Sequence, residues 1–73
     1  MNGSLLQEES EFIAKRIEAN VGRDPGMQMD AAFNLILSRN PTMEERTRFK
    51  DSGLTLAGIS RVLLSSNEFL YVE

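Results

Sequence analysis

The sequence contains no cysteine, no histidine and no tryptophan, and only two prolines in 73 residues. Without cysteine there is no disulfide to staple the fold, and without either cysteine or histidine the usual zinc and haem ligands are missing. Neither a metal nor a cofactor is therefore expected on these residues. No apolar run approaches the roughly 20 residues that span a bilayer, so membrane insertion is not expected. A basic segment followed by an apolar one, the mark of a signal peptide, is also missing. Cationic residues are in the minority: 8 Lys and Arg stand against 11 Asp and Glu, a net charge of −3. That is the wrong sign for gripping phosphates, and nucleic acid is not expected as a partner. Arg39, Arg46, Arg48 and Lys50 do fall close together, but Glu44, Glu45 and Asp51 are interleaved with them. This is the pattern of a solvated mixed-charge helix face.

What is present suits one small globular domain, at 41% apolar and 26% charged residues. A chain this short buries only about 60% of the surface it exposes when unfolded, so stability is expected to be marginal. No alternation of period two is long enough for a sheet, and there is no internal repeat or low-complexity linker. The periodicity predicts an all-α fold, a compact bundle of four short helices over about 5–20, 26–39, 43–51 and 56–66 with an irregular C-terminal end.

The middle of the chain organises that reading. Met29, Ala32, Phe33, Ile36 and Leu37 recur at helical spacing. Pro41 then biases Asn40 away from helical backbone and is expected to stop the second helix there. Thr42 and Glu45 have the spacing of a capping box, each side chain bonding the other's backbone N–H, which starts the third helix. Elsewhere Ser4 is a candidate N-cap for the first helix, Gly22 its C-terminal stop, and Asp24-Pro25 the start of the second. Gly53 closes the third helix and Thr55 caps the fourth. Leu5, Leu6, Phe12, Ile13 and Ile17 read as the apolar face of the first helix, with Val21 closing it. Leu56, Ile59, Val62 and Leu63 read as that of the fourth, with Leu64 beside them. Phe49 is the expected anchor of the third, and Gly58 is expected to serve close helix packing. The expected core is Phe12, Ile17, Phe33, Ile36, Phe49, Ile59 and Leu63.

Chemistry is harder to find. A nucleophile needs an adjacent base, or two titratable groups must be held apart in pKa. Only carboxylates, lysines, serines and Tyr71 are available. Glu44 and Glu45 are adjacent and point to different parts of a helix surface, so they form no dyad. No catalytic residue is assigned and the chain reads as not an enzyme. Were it a wall of an enzyme site completed elsewhere, Glu45 or Glu68 would carry an anomalous pKa. Met1, Met27, Met29 and Met43 allow an adaptable apolar groove that could hold a partner helix, although methionines also fill small cores. Phe69, Leu70, Tyr71 and Val72 are the candidate partner contact, since an aromatic-rich segment is seldom left in water.

Two segments also carry a resemblance. Residues from Ala31 to Glu45 are similar to an A-F-x-L-x-L-x-R-x-P-T-x-x-E stretch, and residues from Arg61 to Glu73 to a closing R-x-L-L-N-S-N-E-F-L-Y-V-D. Both belong to a planctomycete family, the domain of unknown function 1553, found in large secreted proteins that also carry cytochrome-c-type haem domains. Ser65 stands where that family usually has asparagine and Glu73 where it has aspartate. The resemblance covers most of residues 26–73 and only the C-terminal part of the family's domain, and the Cys-x-x-Cys-His haem-attachment motif is missing from these residues. It implies a terminal helical module of a larger, exported or periplasmic, cytochrome-c-associated bacterial protein. Its partners would be other domains of that parent protein or a separate protein, met through intra- or intermolecular packing. The other reading is a stand-alone adaptor binding a partner helix in an apolar groove.

Overall fold

The computed structural model describes residues 3–66, with side chains from Leu6 onward. The expected irregular end and the candidate contact Phe69, Leu70, Tyr71 and Val72 lie outside the described residues, as do Met1 and Glu68. Four helices follow in order, α1 (Gly3–Val21), α2 (Pro25–Leu37), α3 (Met43–Ser52) and α4 (Leu56–Leu64), with no strand among the described residues. The fold is the expected all-α bundle.

Local chemistry sets most of the boundaries. Asp24 has extended backbone, and its Oδ1 accepts from the Gly26 and Met27 amides at 2.9 and 3.2 Å, with Pro25 in the first turn where no donor is missed. Thr55 caps α4 by accepting from Gly58 N at 3.1 Å. Gly22 (φ 78°) and Gly53 (φ 74°) close α1 and α3 in the left-handed conformation that suits glycine. Three boundaries differ from expectation by two residues. α4 ends at Leu64 rather than 66, with Ser65 at its C-cap. α1 already includes Gly3, so Ser4 has helical backbone and does not serve as an N-cap, which requires extended backbone. α2 ends at Leu37 rather than 39, because Ser38 turns left-handed (φ 61°) while its N–H donates to Asn34 O at 3.1 Å. The chain therefore reverses two residues before Asn40, where Pro41 alone would have placed the stop.

The core is built by three of the four helices. α1 packs most extensively on α4, and α2 fills the angle between them. Ile13 and Ile17 of α1, Met29, Ala32, Phe33 and Ile36 of α2, and Ile59, Leu63 and Leu64 of α4 are buried together. Leu6, Val21, Leu37, Phe49 and Leu56 pack against them, half-buried. One expected core position, Phe12, and one residue of an expected apolar stripe, Val62, move out. Phe12 is 64% exposed, because the buried stripe of α1 runs Ser10, Ile13, Ile17 and carries Phe12 past its edge. Val62 is likewise exposed, and Leu64 takes its place in the core. Gly58 does not serve helix packing. A Cβ there would meet the Leu54 side chain at 3.2 Å, so it makes room for the loop that precedes α4.

Two buried serines lie on the closely packed pair α1 and α4. Ser10 Oγ donates to Gln7 O at 2.9 Å and is satisfied. Ser60, fully buried, has no hydrogen-bond partner for its hydroxyl among the described residues. A buried, unpaired hydroxyl costs roughly 1–3 kcal/mol of desolvation. Ser60→Ala keeps the small size and removes that cost, so it is expected to be neutral or to raise stability by up to about 1 kcal/mol. Urea unfolding checks this. A loss above about 1 kcal/mol would mean that the hydroxyl is bonded after all.

Candidate functional site

α3 contributes no buried residue to the core. It lies along the edge of the three-helix core and touches it through few residues. Three side-chain contacts hold it there.

The first is aromatic. Phe33, fully buried, and half-buried Phe49 meet edge-on, their ring centroids 5.8 Å apart and their planes at 75°. This is a favoured geometry for rings whose edges are positive and faces negative. Phe49 is the anchor of α3, as its position in the sequence implied, although it stays at the margin of the core.

The second contact is a clasp built from Arg39, Thr42 and Glu45. The capping box forms as expected: Glu45 N donates to Thr42 Oγ1 at 3.1 Å, and Thr42 N to Glu45 Oε1 at 2.8 Å. Its carboxylate has a further partner that the pattern Thr-x-x-Glu does not announce. The Arg39 guanidinium donates through Nη1 to Oε1 at 2.8 Å and through Nη2 to Oε2 at 2.9 Å, the two-pronged pairing that is strongest for this ion pair. Arg39 also lies over the Phe33 ring, 5.4 Å from its centroid. One side chain thus joins the core ring of α2 to the cap of α3. The Arg39 hydrogen bonds, more than offsetting partial burial, hold the Glu45 carboxyl at about 2 against an ordinary 4.5. The anomaly foreseen for an enzyme wall is present in Glu45, but it has the sign of an ion-paired cap. A carboxyl so acidic keeps no proton to donate near neutral pH.

The third contact is the ion pair of Arg46 on α3 with Asp30 on α2. Asp30 Oδ1 is shielded from solvent beneath the guanidinium, in a charge contact whose alignment is not that of a hydrogen bond. The cluster of charges on α3 is therefore not wholly solvated. Arg39 and Arg46 tie α3 down, while Arg48 and Lys50 remain exposed. Among the described residues no group of three or more acidic, His or Cys side chains could hold a metal ion, and no helix is long and apolar enough to cross a membrane.

Fastened in this way, α3 leaves a groove on either side of Phe49. The larger, about 660 Å³, opens between α2, α3 and the start of α4. Met29, Phe49, Leu56 and Ile59 line it, together with Met43 and Leu54 near the surface. Met43 is 83% exposed, the most exposed of the large apolar side chains among the described residues. The smaller, about 400 Å³, lies between Phe49, Val62 and Leu63 and has the Arg39–Glu45 pair in its wall. The methionines divide accordingly. Met29 and Met43 share the larger groove, whereas Met27 is exposed and outside it.

Family models, curated proteins and solved structures all give no match to this chain. The reading of the site rests on its geometry.

Proposed function

We propose that this chain is a non-enzymatic helical module that packs against another domain of its parent protein or against a separate protein partner. In this reading it is the C-terminal part of a larger, exported bacterial protein, the setting implied by its resemblance to the cytochrome-c-associated planctomycete family. The observation that carries the proposal is α3: held by an aromatic contact and two ion pairs, it has no fully buried residue of its own and leaves Met43 bare above an apolar groove. An apolar cleft held open by polar fastenings is the form of a surface awaiting a neighbour. Phe69, Leu70, Tyr71 and Val72 are proposed as a further partner contact, as their sequence implies.

A second reading, a stand-alone adaptor that holds a partner helix, is favoured by the presence of both Met29 and Met43 in one groove. Amide hydrogen exchange separates the two readings. It is measured on residues 1–73 alone and on the full product of the natural reading frame. The module reading expects the amides of Met43–Ser52 to exchange at least about tenfold more slowly in the full product, because a docked neighbour suppresses local opening. Equal exchange in the two overturns packing against another domain of the parent and leaves a separate protein as the neighbour. A reading frame encoding these residues alone also overturns it and leaves the adaptor.

A further inference from the structure

Besides its apolar walls, the larger groove has a charge of one sign. Arg46 and Lys50 are the ionisable side chains among its lining residues, and both are cationic. They stand four residues apart on α3, one helical turn, so they face the same way. No carboxylate lines the groove, although the chain as a whole carries a net −3. The two cations are not equivalent. Arg46 is engaged by Asp30, whereas exposed Lys50 has no ion-pair partner among the described residues. Gln28, Thr47 and the backbone at Pro25 and Gly26 complete a neutral polar margin.

We propose that this groove binds an acidic amphipathic helix of a protein partner, with apolar side chains at i, i+3 or i+4 seated between Met29, Met43 and Leu54 and a carboxylate set against Lys50. The inference rests on the proposal above that the groove takes a protein neighbour, and names the chemistry of that neighbour. Three features point to that occupant. Flexible thioethers on both α2 and α3 suit side chains of varied shape. The trough is open, bounded by three helices, and of the size that accepts a few apolar side chains rather than a whole domain face. The positive charge of Lys50 in a groove without lining carboxylates attracts a carboxylate on the occupant.

The test uses residues 1–73 and two fluorescein-labelled 16-residue peptides, helical and identical in their leucine stripe, one carrying glutamates on its flanks and the other lysines. Anisotropy titration is expected to show the glutamate peptide binding at least about fivefold more tightly. Lys50→Glu is expected to remove or invert that preference, since one exposed charge contact is worth up to about fivefold in affinity. Met43→Ser, also at an exposed position, is expected to weaken both peptides. Amide shifts in labelled protein should move around Met29, Met43, Thr47, Lys50 and Leu54. Equal affinity for the two peptides, a preference that survives Lys50→Glu, or shifts centred on Phe12 and Val62 would overturn the proposal. So would the same shifts appearing on concentrating the chain alone, which would name a second copy as the occupant. Slowed exchange of α3 in the full product without peptide preference would leave the module standing and remove its acidic partner. The preference without slowed exchange would do the reverse.

Discussion

Phe33→Ala is expected to destabilise the chain by about 3–5 kcal/mol, the range for emptying a buried phenylalanine site. A domain of this length holds a total of only about 4–11 kcal/mol, so at the lower end of that range much of the population would be unfolded at room temperature. Phe33 is fully buried at the centre of α2, and two contacts outside the core depend on its ring: the Phe49 edge and the Arg39 guanidinium. Its removal therefore empties the core and unseats α3 together. Phe12→Ala is the informative comparison. Phe12 carries the same side chain, yet it stands exposed on α1. Its replacement is expected to cost less than about 1 kcal/mol. Urea unfolding followed by circular dichroism measures both. Equal losses at the two positions would show that Phe12 shares the core.

The second large effect belongs to the clasp. Glu45→Ala removes the reciprocal half of the capping box, the bond from the Thr42 amide, worth about 1 kcal/mol, and the paired carboxylate as well. A carboxyl lowered from 4.5 to about 2 would represent roughly 3 kcal/mol if shielded from water. The Glu45 side chain is 28% exposed and that of Arg39 34%, so solvent screening brings the pair nearer to about 1–2 kcal/mol. Glu45→Ala is expected to cost about 2–3 kcal/mol in all. Glu45→Gln, which can still reach back to the Thr42 amide, is expected to cost only the ionic part. A double-mutant cycle with Arg39→Ala isolates that part, and Arg39→Lys should not restore it, since an ammonium cannot make the two parallel bonds. The folded-state pKa lies below the unfolded value. The contribution is therefore complete above about pH 4.5, and it declines as pH falls toward 2. Glu45→Gln should flatten that part of the stability profile. An unchanged acid limb in the variant, or a coupling energy near zero, would show that the pair does not hold α3.

The capping residues were legible in the sequence because a cap is a contact within three or four residues. Asp24, Thr42 with Glu45, and Thr55 each meet amides of the turn they begin, so their identity and spacing suffice. Gly22 and Gly53 are of the same kind. Arg39 was visible only as one of four neighbouring cations. Its bond to Glu45 spans a helix break and depends on the left-handed turn at Ser38, a conformation that serine seldom adopts and that no local pattern signals. The groove was foreshadowed by the methionines, but not its walls, since Met29, Met43, Leu54 and Ile59 come from three helices and their linkers.

By itself, then, the sequence determined four helices, the starts of three and the stops of two, through hydrogen bonds closed within a turn and an apolar period of 3.6. The tertiary structure decided which side of each stripe is buried. A helical period defines a face only to within about a residue, and the angle at which the neighbouring helix arrives selects among the candidates. That selection put Ser10 and Ser60 inside and Phe12 and Val62 outside. It also set α3 beside the core rather than within it, because Met43–Ser52 has little apolar surface to bury and is held instead by Phe49, Arg39–Glu45 and Asp30–Arg46.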